Sequence, residues 1–99
     1  MRPIHVAHLD KTRPVLILTR EIVRPHLETV TVAPITTTIR GLSTEVPVNA
    51  ANGLAGTSVV SCDNITTIPT STLGVQIGVL FDRQEPALGD AIRAAFDLD

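Results

Sequence analysis

Apolar residues along this 99-residue chain recur mainly with the two-residue period of strands. Ile4-His5-Val6-Ala7-His8-Leu9 predicts a first strand and Pro14-Val15-Leu16-Ile17-Leu18-Thr19 a second. The second is an unbroken β-branched and leucine run, the pattern of a strand buried on both faces. Residues 20–28 hold Pro25 and several charges and predict a loop. Thr29-Val30-Thr31-Val32-Ala33 alternates, which puts Val30 and Val32 on one face of a third strand. Glu45–Val48 predicts a short strand, and its Pro47 suggests an edge position. Asn52-Gly53 predicts a turn. Ser58–Cys62 and Ile65–Ile68 predict two strand pieces split by Asp63-Asn64, and Val75, Ile77 and Val79 alternate in a last strand. Only the C-terminal part is helical in period. Leu88, Ala91, Ile92 and Ala95 stand at i, i+3, i+4 and i+7, and Pro86 suits a first turn. Asp82 and Glu85 are candidates for a capping pair. Six or seven short strands and one amphipathic helix predict a mainly β fold with a C-terminal helix, a small, partly open barrel covered by that helix. The length suits one domain over residues 1–99 with a single core.

Composition narrows this picture. Phe81 and Phe96 are the only aromatics, so the core must be built from Val, Ile, Leu and Ala. About two-thirds of the unfolded surface is expected to be buried, a modest fraction to which oligomerisation would add stability. Cys62 is the only cysteine, which excludes an intrachain disulfide and suits a reducing compartment. The first residues lack an apolar signal region, and no apolar run approaches the roughly 18 residues of a membrane span, so a cytoplasmic protein without a membrane partner is expected.

The net charge of −2 argues against indiscriminate binding of nucleic acid. Its distribution changes that reading. Arg2, Lys11, Arg13, Arg20, Arg24 and Arg40 fall in the first 40 residues, while acids gather toward the end. A local phosphate site is therefore compatible with the overall sign, and arginine is the cation suited to forked phosphate recognition.

Most conventional catalytic sets are missing. His5, His8 and His26 lack zinc-type spacing, and one cysteine cannot complete a thiolate site, so no metal or cofactor is expected. Cys62 lies in an apolar run and reads as an inert buried thiol. Gly53, Gly56 and Gly74 fit no phosphate-loop pattern. Asp63-Asn64 reads first as a turn or bulge and second as an acid–base pair.

Two features remain. Arg13-Pro14 puts a guanidinium at the entry of the second strand, and Pro34-Ile35-Thr36-Thr37-Thr38 puts hydroxyls at the exit of the third. If these strands pair antiparallel, Arg13 and the threonines meet at one rim. An arginine fork with a threonine hydroxyl can bind a phosphodiester and favour the added negative charge of a pentavalent transition state. RNA carries its own nucleophile, the 2′-OH, so such a site needs no activated protein side chain. Each feature also has an ordinary reading, a solvated strand start and β-propensity.

At these residues the chain resembles the MazF/PemK family of toxins, from Ile4 to the C-terminal helix. The family's Arg-Pro dipeptide leading an apolar strand is matched by Arg13-Pro14-Val15-Leu16, and its Pro/Ala-x-Thr by Pro34-Ile35-Thr36. Thr44-Glu45-Val46, Asp63-Asn64 with Thr67-Ile68, and Ser71-Thr72-Leu73-Gly74 match later pieces. The resemblance implies an SH3-like barrel, a homodimer, and a type II toxin-antitoxin endoribonuclease. Such an enzyme cuts single-stranded RNA to a 2′,3′-cyclic phosphate and a 5′-hydroxyl without a metal. It implies Arg13 and Thr36 as catalytic residues, Arg13 neutralising the phosphorane and taking part in proton transfer, Thr36 holding a non-bridging oxygen. Thr37 is the alternative if the register slips by one. Thr38, His8, Lys11, Arg40, Asp63 and Asn64 are further candidates for substrate contacts. A cognate antitoxin, a disordered segment that folds on the toxin, is the implied protein partner.

The chain departs from the family in one place. Members commonly have a long polar loop with a Ser-Glu-Gln-like segment before Arg-Pro, whereas only Asp10-Lys11-Thr12 stands here. A lid over the RNA and an acidic group are expected to be missing. His8 reads first as a partly buried structural histidine and second as a replacement general base. Two other functions compete: a CcdB-like non-enzymatic poison of DNA gyrase on a similar barrel, and an inactive antitoxin-binding module.

Overall fold

Seven strands and one helix account for the predicted elements in a computed structural model that describes residues 1–99. They are β1 (Arg2–His8), β2 (Thr12–Ile17), β3 (Thr29–Thr36), β4 (Glu45–Val48), β5 (Ser58–Ser61), β6 (Thr66–Pro69), β7 (Leu73–Leu80) and α1 (Glu85–Ala95). All pairings are antiparallel. The order is β4-β5-β3-β2-β1-β7, with β6 also on β3, and the sheet curls into a half-barrel. The curl centres on β3. Its Thr29–Val32 segment pairs with β6 and its Ile35 and Thr36 pair with β5. Pro34, which has no N–H to leave unpaired, lies where one partner gives way to the other.

β2 is buried on both faces, as its unbroken apolar run predicts. Leu16 joins Ile4, Ile35, Val60, Leu80 and Leu88 in the main core, whereas Val15 and Ile17 join Val30, Val32 and Ile68 in a second cluster. The helical period also has its expected consequence. Leu88 and Ala91 are buried against the main core, and Ile92 and Ala95 pack beside them. Pro86 falls in the first turn of α1. No helix is long and apolar enough to cross a membrane.

Three local expectations are corrected. Pro34 to Thr36 belong to β3 rather than following it, because pairing with β2 and β5 extends the strand. Alternation in β7 is incomplete: Val75 is exposed while Ile77 and Val79 are half-buried, since register shifts at His5 interrupt the β1–β7 ladder. Asp82 and Glu85 do not cap the helix. Asp82 pairs with the N-terminal amine at 2.9 Å and Glu85 with Arg2 at 2.8 Å. Gln84 organises this corner instead, its Oε1 accepting from the Phe81 N–H and from Asn52 Nδ2 at 2.9 and 2.8 Å. Asn52 is buried but satisfied, because Nδ2 also donates to the Val79 carbonyl and Oδ1 accepts from the Asn49 N–H. Gly53 closes this turn at φ +92°, where a Cβ would lie 2.1 Å from the Ile77 carbonyl oxygen.

Candidate active site

The β2–β3 register sets the site. Val15 stands opposite Pro34, Leu16 opposite Ala33 and Ile17 opposite Val32. Arg13 and Thr36 each lie two residues beyond the Val15–Pro34 pair that ends this ladder, at the same rim. Both side chains line an open pocket of about 530 Å³. The pocket is polar, with Leu42 an apolar wall and Pro34 part of the floor. A long loop does not cover it: β1 and β2 are joined by residues 9–11 alone.

Arg13 is exposed and enters no salt bridge, so its fork is free to meet an anion. Thr36 is half-buried, and its Oγ1 accepts from the Thr38 N–H at 3.1 Å. That bond anchors the hydroxyl and leaves its proton available for a ligand oxygen, a donation strengthened by the bond it accepts.

The remaining walls come from distant segments. A tight turn at Cys62–Asn64 carries Asp63 and Asn64, held by Thr44 Oγ1 to Asp63 Oδ2 at 2.6 Å and Asn64 Nδ2 to Ser61 Oγ at 2.8 Å. The β3–β4 loop carries Arg40 and Leu42, and Glu45 begins β4. The Glu45 carboxylate accepts from the backbone N–H groups of Leu42 and Arg40 at 3.0 and 3.2 Å. These bonds, Leu42's foremost, hold its pKa below the ordinary carboxylate value.

Of the residues singled out from sequence, Arg13, Thr36, Thr38, Arg40, Asp63 and Asn64 share this pocket. Thr37, His8 and Lys11 do not line it, and all three are exposed, so His8 at the end of β1 is not the partly buried histidine expected. His8, at the end of β1, has Nδ1 3.3 Å from Thr12 Oγ1, and His5 Nδ1 lies 2.9 Å from the Gly74 carbonyl. Pro34 and Glu45 stand in the sequence pattern only as parts of family motifs, and nothing there marks Ser61 or Leu42 as pocket residues. One signal could have pointed to Glu45: the spacing Arg40-Gly41-Leu42-x-x-Glu45 lets a carboxylate fold back onto a glycine-opened turn.

Cys62, next to Asp63, is no nucleophile. Burial, then the neighbouring Asp63 charge, pushes its thiol up to about 11. Iodoacetamide at pH 8 is expected to leave the native protein unlabelled and to label it fully in guanidinium; rapid native labelling would refute the burial. Because the folded-state value is raised, the associated stability is intact below about pH 9, the ordinary thiol value, and falls as pH rises from there toward 11. Alkaline melts of wild type and Cys62→Ala should differ in that window.

Fold and pocket define a class: a helix-covered antiparallel half-barrel with an open polar site where two central strands meet a rim. Residues 3–96 match the model of the PemK-like, MazF-like toxins of type II toxin-antitoxin systems, and the chain belongs to that family. It is 73% identical over 99 residues to Endoribonuclease MazF3 of Mycobacterium tuberculosis, covering 100% of this chain and 96% of the relative. Probable endoribonuclease MazF5 of the same species is 35% identical over 86 residues, covering 86% and 79%. The solved structure of Mycobacterium tuberculosis toxin MazF-mt6 superposes with a TM-score of 0.97 at 72% identity, covering 99% of each chain.

Proposed function

We propose that this chain is an endoribonuclease toxin that cleaves single-stranded RNA at short sequences, acts in the cytoplasm as a homodimer, and is neutralised by a cognate antitoxin. Family membership and the relatives' names support the class. The observation that carries the chemistry is that Arg13 and Thr36 line one open pocket.

A phosphodiester seated there meets a free guanidinium and an anchored hydroxyl. As the 2′-hydroxyl gives its proton to solvent and its oxygen bonds to phosphorus, charge builds on the non-bridging oxygens, and both donors bind that charge more strongly than the ground state. The P–O5′ bond then breaks, giving a 2′,3′-cyclic phosphate and, with a proton gained at the leaving oxygen, a 5′-hydroxyl. The nucleophile belongs to the substrate and the charge is met by Arg13, so the reaction needs no metal. Arg40 and Thr38 are suited to flanking phosphates, and Asp63 and Asn64 to base edges, accepting from exocyclic amines or pairing in both senses.

The test is incubation of the pure protein with a long RNA in EDTA, followed by mapping of 5′ ends. Discrete fragments with 5′-hydroxyl termini are expected. A strict need for Mg²⁺ would overturn the metal-free reading. Intact RNA with trapped gyrase–DNA complexes would move the chain to the gyrase poisons, and intact RNA with antitoxin binding alone would make it an inactive module.

A further inference from the structure

One carboxylate of the pocket is engaged with the backbone rather than with the pocket space. Glu45 accepts from the Arg40 N–H with both oxygens at 3.2 Å and from the Leu42 N–H with Oε1 at 3.0 Å. In return the Glu45 N–H donates to the Leu42 carbonyl at 3.1 Å, closing the turn. Gly41, between the two donors, is at φ +72°, and a Cβ there would meet nothing within 4 Å. Its requirement is conformational: the left-handed residue turns the neighbouring N–H groups toward one point, the geometry of an anion-binding nest. Here the anion is supplied by the chain itself.

Two consequences follow. First, a carboxylate with this many donors is a poor proton acceptor, so Glu45 is unsuited to being the base that its position would suggest. Second, the exposed 39–42 segment, which has no strand or helix of its own, is tied down beside the pocket. The charged groups sharing that space are Arg13, Arg40 and Asp63. Arg40 enters no salt bridge, so its guanidinium is unclaimed.

We infer that Glu45 is a positioning residue: its carboxylate, seated among the N–H groups of Arg40 and Leu42, fixes the loop so that Arg40 stands in the Arg13 pocket as a second guanidinium for a neighbouring RNA phosphate. This inference rests on the nuclease reading for its substrate, though not for the geometry of the loop.

The experiment has two arms on Glu45→Gln and Glu45→Ala, with Arg40→Ala and the double variant for comparison. In amide hydrogen exchange, protection at Arg40 and Leu42 should fall in Glu45→Ala and partly in Glu45→Gln, which keeps an acceptor, while β2 and β3 amides stay unchanged. In RNA cleavage, KM for Glu45→Ala should rise roughly tenfold, about the value of one charge-assisted hydrogen bond, with kcat within about threefold. The slope of log KM against log salt should drop by about 0.7, the contribution of one phosphate contact on a single strand, as in Arg40→Ala. The double variant should be no worse than Arg40→Ala.

Unchanged exchange at 40 and 42 would overturn the tie. A lower kcat at unchanged KM would overturn the positioning role in favour of chemistry, and a lower KM would show that the carboxylate blocks an RNA phosphate instead. If the wild type cleaves no RNA, the nuclease reading fails while the exchange arm still decides the geometry.

Discussion

Arg13→Ala is expected to lower kcat for RNA cleavage by roughly a thousandfold, about 4 kcal/mol of transition-state stabilisation, comparable with an arginine meeting phosphoryl charge elsewhere. Folding should be untouched. The side chain is exposed and unpaired, so its loss belongs to the surface substitutions that stay within about 0.5 kcal/mol. Arg13→Lys separates charge from shape. It keeps a cation at the site but not the fork, and should recover only part of the rate. Single-turnover kinetics with saturating RNA, alongside thermal melts, reads both quantities. Full activity in Arg13→Ala would remove it from the chemistry.

Thr36→Val should cost roughly a hundredfold in kcat, the low end for deleting one donor to a developing oxyanion. Thr36→Ser, which keeps the hydroxyl, should stay close to wild type. The comparison matters because Thr36 also accepts from the Thr38 N–H. Loss of that bond alone would cost about 1 kcal/mol of stability and leave the rate of a folded enzyme nearly intact. A valine variant with a wild-type rate but a lower Tm would make Thr36 a turn residue only. Arg13→Ala and Thr36→Val together should fall less than the product of the singles, since both act on the same charge.

What could be read early was whatever depends on short spacing. The two-faced burial of β2 followed from six consecutive residues, and the buried face of α1 from the positions of Leu88, Ala91, Ile92 and Ala95. The Asp63-Asn64 break is a tight turn, as its composition suggests. Asp82 and Glu85 do not cap the helix because they find partners at the N-terminus, more than eighty residues away, which no local spacing shows. β3 runs past Pro34 because that proline marks a change of partner there rather than the strand's end. His8 and Lys11 are near Arg13 in sequence but outside the pocket, while Asp63, fifty residues further on, lines it.

The amino-acid sequence by itself determined the strands, the terminal helix, the apolar core and the family-specific pair Arg13-Pro14 and Pro34-x-Thr36. Period and local sterics act over a few residues and leave their mark in them. Tertiary structure alone decided that Arg13 and Thr36 share one pocket, since a one-residue slip between β2 and β3 would send one of them to the other face. It also decided that Arg40, Asp63 and Asn64 join them and that Glu45 holds the loop. Those placements depend on which distant strands pair, and in which register.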